Sequence, residues 1–558
     1  MTRAYSALRT QALWSLVGLG AVLGLLTFML VRKAGEPLRG YGHGYWDDAM
    51  ALIAAQRFGE EGFLSERFAP HLQFGPLEEA PMGQRYPYLH SQPLTFISAG
   101  LFHKAGIQTL LGLRIVAIFF HTAGMACFFL LLRRITKDAS LALLATAFAS
   151  FALPLYIFAD SLKVNPGVFV LTFGPLLLWH VSVERPQLRA SLWFWVNALF
   201  LLQGLYLLVE YWLYAHAFLW LYAFAFGIPW PKRHLLWLVP GHGLALVLTL
   251  ARNAWYLGFG NAARDLFQVV LWRIGGFSYQ GYGAGSTEGA FSWAAHIEKF
   301  LYRFPDTFAV FRWLPHSGKA FLLIAAASLG WLWWTRSRCA ENSSKDPLHR
   351  SWCLGLVLFG AALPYFIFFA QGVMVHYFPV GDFAPGVSVI MAAAILGLRN
   401  MRDRASSPAA RRSFTMLGFA AAFLSLALNV DFCRRFETDP EFKGRYADAR
   451  AVDRFLPSGA LVGHSTFLPA LFYYTNRPFV QNLLTPEDVE RFRAEVSRQH
   501  PGRPLYFVMA PPVNASVDAL WPHLDALYVP VLRVPSLRMV VYDLGQRGPE
   551  SVSDGKNR

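Results

Sequence analysis

Apolar runs of roughly twenty residues, separated by short polar breaks, recur from residue 12 to residue 430, and each is long enough to cross a hydrocarbon core as a helix. The pattern predicts about eleven spans, near 12–31, 107–132, 139–158, 165–183, 191–209, 211–228, 235–253, 319–335, 352–371, 380–398 and 414–430. The run at 12–31 is longer than the apolar region of a signal peptide and no small-residue cleavage pattern follows it, so it reads as a span. After 430 the pattern changes to a tail of about 125 residues, enough for one small domain. There Glu441–Leu456 and Pro486–Arg498 read as helices. Ala460–Gly463, Leu505–Met509, Tyr528–Val534 and Arg538–Tyr542 read as strands from their β-branched and aromatic content. The fold class is therefore a polytopic α-helical membrane protein with a small C-terminal α/β soluble domain. The division falls between a transmembrane module at 1–430 and a tail domain at 431–558.

Charge orients the spans. The loops at Arg133-Arg134/Lys137, Arg185/Arg189, Lys232-Arg233, Arg336/Arg338/Lys345/Arg350 and Arg399/Arg402/Arg404/Arg411/Arg412 are all basic, whereas the intervening short loops hold Lys163 and little else. Basic loops stay cytoplasmic. The expected protein is thus integral to the cell (inner) membrane, with a cytoplasmic N-terminus, an extracytoplasmic C-terminal domain and outer segments at about 32–106 and 254–318. Composition agrees: 55% of residues are hydrophobic and 15% charged, against roughly a quarter charged in soluble chains. The net charge of +15 sits largely in the short inner loops, which makes it a topological signal and argues against a nucleic-acid partner. The four cysteines form no CxxC pair and no disulfide framework, excluding structural zinc through cysteine.

The candidate chemistry begins just beyond the first span, at Gly40-Tyr41-Gly42-His43-Gly44-Tyr45-Trp46-Asp47-Asp48, followed by the helix-prone run Ala49–Phe58. Adjacent carboxylates at the membrane surface suit acid–base work, and they equally suit the N-terminus of a short helix. Asp160 stands near Lys163, where an i, i+3 ion pair would account for both. Glu210 interrupts the apolar stretch 191–228, as an intramembrane carboxylate or as a cap on the tight turn there. The glycine-rich segment 277–289 fits either a lid over a site or a plain connector. Aromatic clusters at Trp193/Trp195, Tyr211/Trp212/Tyr214 and Trp331/Trp333/Trp334 read as interfacial belts. The tail shows no phosphate-binding glycine loop and no nucleophile elbow.

Several of these features, taken in order, resemble one family. They are the acidic pair after span one, Tyr86-x-Tyr88-x-His90-x-x-Pro93-Leu94 leading into span two, and Leu113-Arg114-Ile115 within it. Arg133–Asp138 at its inner end and Leu153-Pro154 before Asp160 complete the set, with weaker echoes at His376-Tyr377 and Phe472–Pro478. Together they are similar to the polyprenyl-phosphate-sugar-dependent GT-C glycosyltransferases, which include protein O-mannosyltransferases and the lipid A aminoarabinose transferase. The chain departs from the pattern in having Asp-Asp where many members have Asp-Glu, and His90-Ser91-Gln92-Pro93 where they have His-Pro-Pro. The resemblance implies a hexosyl- or pentosyltransferase moving a monosaccharide from a polyprenyl-phosphate carrier to a hydroxyl of a glycan, lipid or protein on the extracytoplasmic face. It implies Asp47 as base, with Asp48 holding the helix or a metal. Arg85, His90 and Lys163 are the candidates for the phosphate, and Tyr88, Asp160, Glu210, His376 and Tyr377 for the remaining substrate contacts. A divalent ion is left open as the one cofactor. The alternatives are a transporter or flippase, which would show half-helices broken at mid-membrane and internal symmetry, and a surface-polysaccharide polymerase or ligase.

Overall fold

The computed structural model describes residues 2–35, 43–69, 93–162, 168–206, 209–227, 239–274, 292–308, 347–369, 378–438, 450–465, 479–480, 483, 485–509, 520–534 and 539–547. Its membrane part runs α1 (Thr2–Ala34), α2 (His43–Glu60), α3 (Pro93–Lys104), α4 (Leu110–Thr136), α5 (Ala139–Ser150), α6 (Leu153–Phe158), α7 (Val168–Glu184), α8 (Arg189–Tyr206) and α9 (Val209–Ala225). It continues through α10 (Val239–Leu257), α11 (Phe259–Ile274), α12 (Trp293–Arg303), α13 (Pro347–Phe368), α14 (Ala384–Arg404) and α15 (Pro408–Thr438). Six described helices are long and apolar enough to cross a membrane: Leu13–Ala34, Leu110–Thr136, Pro186–Tyr206, Leu348–Phe368, Gly381–Arg404 and Pro408–Glu437. The other expected spans correspond to the shorter helices α5, α7, α9 and α10, apart from 319–335, which lies outside the described residues. The chain is an integral membrane protein.

Local chemistry explains the joints. Thr109 caps α4 by accepting from Gly112 N–H. Lys137 ends it in the left-handed conformation (φ 57°), and Asp138 at once caps α5 by accepting from the N–H groups of Ser140 and Leu141. That turn folds α5 back along α4. The expected span 139–158 is not continuous: α5 stops at Ser150 and α6 restarts with proline in its first turn. Pro154 has no N–H to continue the ladder, so the chain breaks there and turns toward Asp160. One apolar core joins α1, α4–α9, α13 and α14 through residues such as Leu26, Phe128, Phe148, Phe173, Phe200, Phe218 and Leu358. Without water to drive helices together, small residues set their approach. A Cβ at Gly124 would stand 2.3 Å from Phe169 Cβ, and one at Gly386 2.4 Å from Phe359 N, so α4 meets α7 and α13 meets α14 at glycine contacts.

The tail folds as a five-stranded sheet of order β2-β1-β3-β5-β4, from β1 (Leu461–His464), β2 (Phe479–Val480), β3 (Leu505–Met509), β4 (Tyr528–Val534) and β5 (Met539–Arg547). The pairs β1–β2 and β1–β3 are parallel, and β3–β5 and β4–β5 antiparallel. Alternation sorts the strands' side chains into two layers. Leu461, Phe507, Val540 and Tyr542 pack with Val489, Phe492 and Val496 of α16 (Pro486–Gln499) and with Leu520 and Leu524 of α17 (Leu520–Leu527). Val462, Val508, Val541, Val534 and Met539 pack with Val452 and Leu456, and with Ile53 of α2. The expected strands and the second helix recur, whereas β2 and α17 are elements the sequence pattern did not announce.

Candidate active site

The helix carrying the acidic pair starts at His43, five residues before Asp48, so Asp48 is not its cap. Asp48 lies in the second turn, buried, and its carboxylate leaves the helix altogether. Oδ1 accepts from Leu162 N–H at 2.7 Å and from Ser161 Oγ at 3.0 Å, and Oδ2 faces Arg114 Nη2 at 3.3 Å. Arg114 is buried in the second turn of α4, where it also donates from Nη1 to the Ala34 carbonyl at the end of α1 (3.3 Å) and stands 4.0 Å, from Nε, to Asp160 Oδ2. The other oxygen of Asp160 pairs with Lys33 Nζ at 2.5 Å. Lys33, in the last turn of α1, donates further to the carbonyls of Ile157 (2.6 Å) and Tyr156 (3.2 Å) in the last turn of α6, and lies over the Tyr156 ring. Tyr156 in turn donates its hydroxyl to Glu437 at the end of α15.

The result is a chain of four alternating charges, Asp48–Arg114–Asp160–Lys33, that ties α2, α4, the segment after α6 and α1 together. Two carboxylates against two cations leave no net charge, which makes burial of all four tolerable. Removing Arg114 would leave the buried Asp48 carboxylate without its cation, at a cost of about 3–5 kcal/mol. The arrangement does not suit a divalent ion. Both carboxylates already face cations, and a guanidinium and an ammonium beside them would repel a second positive centre. Among the described residues no group of three His, Cys, Asp or Glu side chains could hold a metal.

Of the residues singled out from the sequence, Asp48 and Asp160 come together through Arg114. Asp160 pairs with Lys33 and Arg114, whereas Lys163, its expected i, i+3 partner, lies outside the described residues. Arg85, Tyr88, His90, His376, Tyr377 and the glycine-rich segment lie outside them too. Asp47 is in α2 and Glu210 in the first turn of α9, but their side chains also fall outside what is described. The aromatic clusters divide. Trp193 and Trp195 are exposed on the surface of α8, but Tyr211 and Tyr214 are core residues, and the Trp212 ring stacks on His242 at 5.1 Å, so that group is no belt.

Sequence reasoning passed over Lys33, Arg114 and Ser161 as partners of the acidic residues. The signal for two of them was present. Arg114 is a charge placed inside a predicted span, and Lys33 is a cation at the outer end of the first span, against the bias of the rest of the chain.

The fold is that of ArnT from Cupriavidus metallidurans. The structure of that protein bound to undecaprenyl phosphate aligns with TM-score 0.52 at 14% identity, covering 94% of this chain and 97% of that one. Its apo state aligns at TM-score 0.49 and 14% identity, over 95% of this chain and 98% of the other. No protein-family model and no curated protein matches the sequence. The chain thus shares its overall fold with that structure over nearly its whole length.

Proposed function

We propose that this protein is a membrane glycosyltransferase that moves one sugar from a polyprenyl-phosphate carrier to an acceptor hydroxyl on the extracytoplasmic face, with inversion and with Asp47 as general base. The observation that carries the reading is the placement of the acidic pair within the GT-C fold. Asp48 is fully committed to Arg114, Ser161 and Leu162. Asp47 precedes it in the same helix, and successive helical positions lie roughly 100° apart, so we assign the base to Asp47 and the structural role to Asp48. The aligned ArnT structure holds undecaprenyl phosphate, a carrier lipid of the class proposed here.

In this reading Asp47 takes the proton of the acceptor hydroxyl as its oxygen bonds to the anomeric carbon. The bond from that carbon to the phosphate oxygen breaks, and the electron pair leaves with the polyprenyl phosphate. The leaving phosphate needs positive charge from groups not already paired. Lys33 and Arg114 are paired with Asp160 and Asp48, and we assign the phosphate to Arg85, Lys163 and His90 and the sugar and acceptor to Tyr88, Glu210, His376 and Tyr377, as the family resemblance implies.

The test is transfer from a polyprenyl-phosphate sugar by the purified full-length protein, read as release of polyprenyl phosphate. Asp47→Asn should lower turnover by about 10²–10⁴-fold while donor binding is largely retained. Arg85→Ala should weaken donor binding, with Arg85→Lys restoring it in part. Wild-type rates in Asp47→Asn would remove that residue as the base.

A further inference from the structure

From Asp48 through Ala55 every residue of α2 is buried, on all sides of the helix. A surface helix keeps one polar face, so burial all round means a second layer covers it. The first layer is the membrane module: Ala49, Met50, Ala51, Leu52, Ala54 and Phe58 pack with Phe96, Leu113 and Leu162. The second is the C-terminal domain. Ile53, wholly buried, enters the cluster formed by Val452, Leu456, Val462, Val508, Val534, Met539 and Val541. Val462, Val508 and Val541 come from β1, β3 and β5, adjacent strands in the middle of the sheet.

We propose that the C-terminal sheet is a positioning element for the transfer reaction, acting through Ile53 on the orientation of α2. The inference rests on the transferase reading above. Two fixed points are needed to aim a helix. The Asp48 carboxylate supplies one, pinned to Leu162 N–H, Ser161 and Arg114. Of the six membrane-side contacts three are alanines, Ala49, Ala51 and Ala54, so on that side Met50, Leu52 and Phe58 carry the hold on the helix. Ile53 lies five residues further on, about 7.5 Å along the axis, and is held by a sheet whose neighbouring strands are hydrogen-bonded into one body. With both points held, the orientation of α2, the helix that carries Asp47, is set by the sheet as much as by the membrane helices. A displacement of about 1 Å at a reacting group costs on the order of 10²-fold in rate. Ile53 and Val508 are therefore positioning residues, and neither is assigned a contact with substrate.

The experiment uses the full-length protein and reads transfer kinetics with a polyprenyl-phosphate sugar beside amide hydrogen exchange over residues 48–58. Ile53→Ala should reduce kcat by about tenfold or more with the donor KM within about twofold, and exchange in α2 should quicken. Ile53→Val should restore most of the rate. Val508→Ala, on the sheet side, should reproduce the effect, and the two alanine changes together should cost little more than one, because both loosen the same contact. If Ile53→Ala does not accumulate as folded protein, Val508→Ala carries the test. Faster exchange in α2 at an unchanged kcat overturns this inference alone, since the sheet would then only cover the helix. Unchanged exchange in both variants overturns it as well. A wild type that releases no polyprenyl phosphate from any such donor sinks the transferase reading first, and this inference with it.

Discussion

Burial pushes the Asp48 carboxyl up to about 6, against the opposing pull of the Arg114 guanidinium and of the hydrogen bonds from Leu162 and Ser161, while the nearby Asp160 charge adds to the rise. At pH 7 the group is ionised, as its three donors require, but it takes up a proton far sooner than an exposed aspartate with its ordinary value of 3.8. The direction fixes the pH dependence. A carboxyl whose folded value lies above its unfolded one binds protons more tightly in the folded state between about 4 and 6, so acidification through that window stabilises the fold. The wild type should therefore gain stability relative to Asp48→Asn as pH falls from 7 to 4.5, by about 2 kcal/mol. Melting temperatures of the two proteins at both pH values check this. A wild type that instead loses ground on acidification would mean the Arg114 pair outweighs burial. At this scale the acidic pair was legible in the sequence because carboxylates beside a span are conspicuous. Their partners were not, because residues 48, 114, 160 and 33 meet only once four separate elements are packed.

Among the helices, α7 to α10 are joined by a line of polar groups inside the bundle. Gln203 Nε2 donates to Thr172 Oγ1 at 3.0 Å, and its amide oxygen accepts from His242 Nε2 at 2.8 Å. That leaves His242 Nδ1 to accept from His216 Nε2 at 3.1 Å, with the Trp212 ring stacked on the His242 imidazole. The Asn197 side chain takes the Gly241 N–H at 3.2 Å, where α10 crosses α8. Such groups cannot turn to water, so they act as a zipper whose parts are worth more together than singly. Gln203→Leu should lower stability by about 1–2 kcal/mol, because it strands the Thr172 hydroxyl and the His242 N–H together. Adding Thr172→Val and His242→Phe should recover part of that loss, which thermal denaturation of the three proteins in detergent would show. Additive losses would mean the groups do not form one network. Periodicity and hydropathy located the described helices that serve as spans, since length and apolar content decide what can lie in a bilayer, but announced none of the shorter α3, α11, α12 and α17. They misjudged where α2 begins and ran α5 into α6, because a glycine- and aromatic-rich lead-in and a proline break are decided by tertiary partners: the Leu162 amide in one case, Lys33 and Glu437 in the other. The same limit applied to Tyr211 and Tyr214, whose burial depends on which face of α9 the bundle covers.

Across the whole molecule the two ends of the bundle carry different chemistry. At one end lie the buried charge chain, α2 and the C-terminal sheet. At the other, the far end of α4, Arg134 and Lys137 each pair with Glu184 at 2.7 Å and Arg350 donates to the Ile135 carbonyl. Arg114 and Arg134, which belong to the two clusters, are 20 residues apart along α4, a rise of roughly 30 Å and about the hydrocarbon thickness. The basic end gathers the loops that the positive-inside bias keeps in the cytoplasm, so the orientation we propose puts the site end and the C-terminal domain outside. Two exposed positions separate the alternatives: Ser406, in the turn between α14 and α15 at the basic end, and Ser497, on the outer surface of α16. In intact cells a membrane-impermeant maleimide should label Ser497→Cys at once and Ser406→Cys only after the membrane is opened. The native cysteines Cys353 and Cys433 are buried and give little background, and the unsubstituted protein measures what Cys127 and Cys339 add. The reverse labelling pattern would turn the molecule over. The base, the phosphate-binding candidates and the sheet that aims α2 would then face the cytoplasm, and an acceptor on the cell surface could not be their substrate.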